Sequence, residues 1–300
     1  MLPTPTYPML PTDTVPDASA SIWPKLKLKY GTLDTHRTYP HAFIRSALFS
    51  SRKFSGGAIR TVATEDTPIE IASLSNYNLV QVAGERLDQG DCDVYAWLLT
   101  RAYQRGLADK SDARIFFTQE EAISERGRKR GTKNFRLFRE SLMRLYKADI
   151  IYKTPYATGR TRLISSIKEP TPESKKKYDY EVIISAKIGD FFQKGDFRIL
   201  LNEERAKLND YLSKWLHAFY SSHAYPIKFT CDLIKSYADR TDTTDKIWRE
   251  KLDAALVKVK EVTGWLECEV KQEDDKPPKI IVRKGKPQFP RREKTGDDES

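Results

Sequence analysis

Two stretches of the chain repeat the same order of apolar and polar residues, and this internal repetition restricts the fold more than any other feature. Ile115-Phe116-Phe117-Thr118 recurs as Ile227-Lys228-Phe229-Thr230, offset by 112. Leu142-Met143-Arg144-Leu145 recurs as Leu256-Val257-Lys258-Val259, offset by 114, and the strand openings Ile150-Ile151 and Trp265-Leu266 lie 115 apart. Near-constant spacing over three landmarks argues for duplicated structural units. In 300 residues this implies two modest domains in series.

Local patterns give each unit an order of elements. Ile69–Leu74 and Asn78–Val82 read as short strands around a Ser75–Tyr77 turn. Val94, Trp97, Leu98 and Ala102 follow helical spacing and predict a helix over Asp91–Arg105. A strand, Arg114–Phe117, runs into Thr118-Gln119-Glu120-Glu121, a capping box that opens a helix to about Ser124. A basic turn, Arg126–Gly131, leads to a helix over Thr132–Ala148. Strands Asp149–Thr154 and Thr161–Lys168 follow, joined by Pro155–Arg160 with Gly159 as turn residue, and Tyr180–Ala186 reads as a further strand.

The second half repeats this grammar. It predicts a helix over Leu208–Ser222, a strand Pro226–Phe229, and a helix capped by Thr230 and running to Ala238. A polar turn, Asp239–Asp242, then precedes a helix over Thr244–Val262 and strands Gly264–Val270 and Lys279–Arg283. Helix, strand, helix, turn, helix and two strands is the order of a winged helix. The expected fold is therefore α+β, two tandem winged-helix domains in pseudo-repeat. Residues 1–24 hold six of the 16 prolines. Residues 1–58 are accordingly expected to be a largely disordered leader with Gly56-Gly57 as a joint, 59–200 and 201–286 the two domains, and 287–300 a polar tail.

Charge is concentrated in the first unit. From Arg126 to Lys168 there are 13 Lys and Arg against two acids, so this segment carries 13 − 2 = +11, beside a net +10 for the whole chain. Leu201–Val270 holds 11 basic and 12 acidic residues. A run this one-sided points to a polyanion-binding face, although a solvated surface has the same composition. At 100° per residue, Phe135, Phe138, Leu142, Leu145 and Tyr146 share one side of the Thr132–Ala148 helix. Lys133, Arg136, Leu137, Glu140, Arg144 and Lys147 fall opposite.

In a helix-turn-helix the second helix enters the major groove. Lys133 and Arg136 are placed for base edges, and Arg144 follows on the same expected face. Arg126, Arg128, Lys129 and Arg130 in the turn are placed for phosphates, and Arg160 and Arg162 on the wing for the flanking backbone or minor groove. The second long helix has a mixed outward face of Lys246, Arg249, Glu250, Asp253 and Val257. There Thr243, Thr244, Lys246 and Arg249 are the candidate DNA contacts.

No catalytic chemistry is expected. The chain has no GxxxxGK[ST] phosphate loop, and His36, His41, His217 and His223 show neither HxH nor HExxH spacing. Cys92, Cys231 and Cys268 form neither a disulfide framework nor a CxxC knuckle. No cofactor and no metal are implied. No apolar run approaches the ~18 residues of a membrane span, and a cytoplasmic location is expected.

Three segments carry a resemblance: Arg45-Ser46-Ala47-Leu48-Phe49-Ser50-Ser51-Arg52; Phe219-Tyr220-Ser221-Ser222-His223 with Tyr225-Pro226-Ile227-Lys228; and Lys246-Ile247-Trp248-Arg249-Glu250. With weaker similarity between them, from about Arg45 to Arg283, the chain resembles the TrfA-type plasmid replication initiators, which are iteron-binding proteins of bacterial plasmids. The resemblance implies tandem winged helices that bind direct repeats in a plasmid origin and help melt it. It also implies recruitment of a host initiator and replicative helicase, and copy control through a balance of active monomers and inactive dimers. Members can carry a Gln-Leu-x-Leu-Phe peptide for the sliding clamp. Here Ser46-Ala47-Leu48-Phe49 is only a partial echo, which puts clamp binding in question. Two other readings fit the same elements: a winged-helix transcriptional repressor, and a protein-interaction scaffold.

Overall fold

The computed structural model describes residues 36–54, 60–74, 78–104, 112–153, 158–171, 173, 176–192, 197–223, 228–274 and 276–285. The Gly56-Gly57 joint, the Ser75–Tyr77 turn, most of the Pro155–Arg160 connection, residues 1–35 and the 287–300 tail lie outside them. The helices are α1 (His41–Ile44), α2 (Gln89–Gln104), α3 (Gln119–Ser124), α4 (Thr132–Lys147), α5 (Asn202–Lys207), α6 (Tyr211–Ser222), α7 (Cys231–Tyr237) and α8 (Asp245–Thr263). Strands interleave with them, so the chain mixes helix and sheet as its sequence implies.

Buried apolar residues form two clusters. The first surrounds α2, whose Val94, Trp97, Leu98 and Ala102 are buried at the predicted helical spacing, and it takes in Phe117, Ile123, Phe138, Leu142 and Leu145. The second joins Trp215, Leu216 and Phe219 of α6 to Ile234, Trp248, Leu252 and Val259. Each cluster contains one copy of the repeated landmarks. Burial of these apolar surfaces is the main force holding each unit together.

The two units share a sheet order. In the second, Phe229–Thr230 pairs with Lys279–Arg283, which pairs with Glu267–Lys271. In the first, Ala113–Phe117 pairs with Tyr180–Ile184, which pairs with Ser166–Lys168. The strand directly after α4, Asp149–Lys153, does not occupy the equivalent place. It lies between Asn78–Glu85 and Thr158–Arg162 in a separate five-stranded sheet. The offset of 115 at Ile150 and Trp265 therefore marks similar strand openings, not equivalent strands. Thr161–Lys168 is likewise not one strand, because Leu163 and Ile164 turn into the core between two shorter ones. Gly159 is not a turn residue either. It stands within Thr158–Arg162, where a Cβ would come 2.3 Å from Cζ of Tyr152 on the neighbouring strand. Close approach, not turn geometry, calls for glycine there.

The N-terminal boundary also needs correction. Residues 36–54 fall in the segment expected to be a disordered leader, yet they are ordered, and Tyr39–Phe49 contribute to the first core. His36–Pro40 pairs antiparallel with Phe197–Leu201, and Tyr39, Phe43, Ile44, Leu48 and Phe49 are buried. Their apolar residues are interrupted by Arg, Ser and Thr, so no helical or strand period announces them. Their partner strand lies some 160 residues away, with His36 opposite Leu201.

The Arg45–Arg52 segment straps the two units together. Arg45 donates from Nε to Ser222 Oγ at 2.8 Å and from Nη2 to the Ser222 carbonyl at 2.5 Å. Trp215 Nε1 donates to the Ser46 carbonyl at 3.1 Å. Ser51 Oγ donates to the Ala238 carbonyl at 2.6 Å, and Arg240 Nη2 donates to the Ser51 carbonyl, also at 2.6 Å. The first two blocks that carry the resemblance thus bond to each other at the junction between units.

Candidate nucleic-acid interface

The candidate face is built on α3, α4 and the turn between them. Thr118 starts α3: its Oγ1 accepts from Glu121 N at 3.1 Å, and Glu121 Oε2 accepts from Thr118 N at 2.7 Å. This is the reciprocal cap predicted from the sequence. Thr118→Ala is expected to cost about 1 kcal/mol of stability, measured by chemical denaturation, because one end-of-helix N–H then loses its acceptor.

The end of α3 is fixed against α2. Glu125 accepts from Trp97 Nε1 at 2.9 Å and from Arg101 Nη2 at 2.6 Å. Two residues on, Gly127 adopts φ +66°, and Arg128 N donates to the Ile123 carbonyl at 3.0 Å. A left-handed residue after the last helical turn is the usual way to stop a helix, and glycine takes that conformation without steric cost. Gln119 Nε2 then donates to the Phe135 carbonyl at 2.9 Å, tying α3 to the first turns of α4.

Packing on α4 follows its apolar stripe. Phe138, Leu142 and Leu145 are buried, while Lys133, Arg136, Leu137, Arg139, Glu140 and Lys147 are exposed. Leu137 is 44% exposed at the centre of the outward side, so this face is unpacked. Arg128, Lys129 and Arg130 in the turn are exposed beside it. Some of these cations have acidic neighbours: Arg130 pairs with Glu120, Arg136 with Glu140 at 3.6 Å, and Arg139 with Glu169 at 3.2 Å. Exposed pairs of this kind are worth little and yield readily to a phosphate.

Two expected contacts point elsewhere. Arg144 is not on the outward face. Its side chain is only 14% exposed, and its Nε and Nη2 donate to Asp91 Oδ1 at 3.2 and 2.9 Å. Ser141 Oγ donates to the same oxygen at 2.6 Å. Helical spacing puts residue 144 near the angle of Leu137, but the start of α2 lies over that end of α4 and Asp91 turns the guanidinium inward. Arg126 is also drawn in. Its guanidinium lies 5.7 Å from the Phe138 ring centre, and burial lowers its pKa to about 10.

The two arginines expected on the wing stand instead at the edge of the five-stranded sheet. Arg160 and Arg162 alternate on one face of Thr158–Arg162. Arg160 is engaged by Asp149 at 2.9 Å and Glu65 at 2.6 Å, with its side chain half exposed. Arg162 is exposed and lies 6.0 Å from the Tyr146 ring of α4, so this strand flanks the helix. Exposed Arg139, Lys147 and Lys153 extend the basic surface. Periodicity already puts Lys147 on the outward side; Arg139 and Lys153 it passes over, although their charge was legible.

In the second unit Thr230 caps α7, accepting from Leu233 N at 3.3 Å, as predicted. Lys246 and Thr244 are exposed at the start of α8, and Thr243 is half-buried. Arg249 leans back on α7, donating from Nη1 to Cys231 Sγ at 3.4 Å, with Asp253 at 3.7 Å from its Nε. Cys231 is buried, and burial raises its thiol above the ordinary value, with Arg249 opposing. The α8 face shows Glu250 and Asp253 as well as Lys246, so it remains mixed in sign. Among the described residues no group of His, Cys, Asp and Glu could hold a metal ion, and no helix is long and apolar enough to cross a membrane.

No protein-family model and no curated protein matches the chain. Among solved structures, it superposes on domains 2 and 3 of RctB with a TM-score of 0.51 at 12% identity, over 77% of this chain and 94% of that one. A second crystal structure of RctB domains 2–3 gives 0.46 at 10% identity, over 76% and 91%. The Pi initiator protein in complex with iteron DNA gives 0.44 at 14% identity, over 65% and 93%. At such identity the first likeness establishes a common fold.

Proposed function

We propose that this chain is a plasmid replication initiator of the TrfA type, binding direct repeats of origin DNA through two tandem winged helices. The observation that carries the reading is the outward side of α4. It is an unpacked helix face with Lys133, Arg136 and Lys147, beside Arg128, Lys129 and Arg130 of the preceding turn. A helix so placed can enter a major groove while the turn meets phosphates. Arg162 on the neighbouring strand would reach the flanking backbone, and Lys246 and Thr244 at the start of α8 would make the second unit's smaller contribution. The fold shared with RctB domains 2 and 3 supports the tandem arrangement.

Origin melting, engagement of a host initiator and helicase, and a monomer–dimer balance belong to the same proposal, as does a cytoplasmic site of action. No catalytic step is assigned to the protein. The test is binding to direct repeats from its own replicon in an electrophoretic shift assay, with shuffled duplex as control. Repeat binding is expected to exceed shuffled binding at least a thousandfold, within the usual ratio for a specific reader. Equal affinity for both duplexes would remove the reading. A plasmid carrying the repeats, maintained only when the protein is supplied, separates an initiator from a repressor.

A further inference from the structure

Helices α4 and α8 keep one burial register. Phe138, Ser141, Leu142 and Leu145 of α4 are buried, and so, 114 residues on, are Leu252, Ala255, Leu256 and Val259 of α8. The same offset pairs their outward positions. Lys133 corresponds to Ile247, Arg136 to Glu250, Leu137 to Lys251 and Glu140 to Ala254, and all of these are exposed. Where the first unit presents two cations, the second therefore presents an isoleucine that is 44% exposed and a carboxylate. Neither can neutralise a phosphate. Ile247 stands in the first turn of α8 with Glu250 one turn on, and exposed Thr244 and Lys246 lie beside them. The N-terminal turns of a recognition helix are the part that reaches base edges. Val257 is also exposed, but it stands about 15 Å further along the axis than Ile247, away from those turns.

The major groove offers few partners to such a pair. Its apolar feature is the C5-methyl group of thymine. Cytosine presents an amino donor there without the N7 acceptor that both purines carry, so a carboxylate is accepted by cytosine and repelled by guanine. We infer that α8 reads pyrimidines: Ile247 packs on a thymine methyl, and Glu250 accepts a hydrogen bond from N4 of a nearby cytosine. This rests on the duplex-binding reading and deepens it. The basic face of α4 supplies most of the salt-dependent affinity, while α8, nearly balanced in charge, supplies base preference.

The experiment uses the full chain and duplexes carrying one direct repeat of its own replicon. Each thymine in turn is replaced by uracil, which lacks only the C5-methyl group, and affinities are measured at fixed salt. At one or two positions the replacement is expected to weaken native binding roughly three- to fivefold, the worth of one buried carbon. Ile247→Ala should weaken the thymine duplex by a similar factor and bind the thymine and uracil duplexes alike at the position read. Ile247→Lys gives α8 the residue that α4 carries at the equivalent place, and should turn the preference there from thymine to guanine. Glu250→Gln should move a neighbouring preference from cytosine to adenine, since an amide pairs with adenine N6 and N7. All three variants alter exposed side chains, so the fold is kept. If uracil is tolerated at every position, or is felt equally by the native chain and Ile247→Ala, the assignment is overturned, while a retained preference for repeat over shuffled duplex leaves the duplex reading standing. Absence of that preference in the native chain would remove the reading and this inference together.

Discussion

Asp93→Asn is expected to lower the stability of the protein by roughly 3–5 kcal/mol, the cost of leaving buried charge without its partner. Asp93 lies on α2 and reaches Arg205 on α5 and Lys214 on α6, both at 2.5 Å. These cations are 2% and 4% exposed, so water cannot take over when the carboxylate goes. Arg205 keeps the Lys214 carbonyl at 2.9 Å and Gln89 Oε1 at 2.8 Å, but neither supplies negative charge. Against a typical total of about 5–15 kcal/mol, the loss is large. Urea unfolding should show a lower midpoint at unchanged slope. A loss below about 1 kcal/mol would mean that this carboxylate does not hold the two units' helices together.

The same group sets a pH dependence. Burial alone would raise the Asp93 carboxyl, but Arg205 and Lys214 overcome it and hold it well below the usual carboxylate range. A carboxyl depressed in the folded state stabilises the protein above its unfolded pKa of about 3.9, and that stabilisation disappears as pH falls through the lower folded value. Below about pH 4 the native chain should therefore lose stability more steeply than Asp93→Asn, and the two curves should converge.

What the sequence made legible was local. Thr118 with Glu121 and Thr230 with Leu233 declare their caps within four residues, and the α4 stripe of Phe138, Leu142 and Leu145 is read from one helical period. What escaped was decided at long range. His36–Pro40 becomes a strand because Phe197–Leu201 lies beside it. The segment from Arg45 is recognisable as a block, yet only the folded chain shows that Ser222, Ala238 and Arg240 receive it. Arg126 and Arg144 escaped for a related reason. Periodicity assigns Arg144 an angle around α4 but not the Asp91 that packs over that end, and a basic turn gives no sign that Arg126 will fold back over the Phe138 ring. The candidate face survives this loss because its other cations stand where no element covers them.

That surviving face supports the largest functional effect. Replacing Arg128, Lys129, Lys133 and Arg136 together by serine is expected to reduce repeat affinity at least a thousandfold at physiological salt. Each phosphate left unneutralised should remove about 0.9 from the slope of log affinity against log salt, so the combined variant's slope should be shallower by roughly two to four. Arg136 separates the two roles within the set. If it meets a guanine edge, Arg136→Ala alone costs about 1–3 kcal/mol and relaxes preference at one base position, while the salt slope changes little. Stability should barely move, since all four side chains are exposed and the Arg136–Glu140 pair at 3.6 Å lies at the surface. A control in the second unit, Lys246→Ser, should cost less, because Glu250 and Asp253 already offset the basic residues of α8. A folded quadruple variant that kept both native affinity and native salt slope would show that the duplex meets some other surface of the molecule.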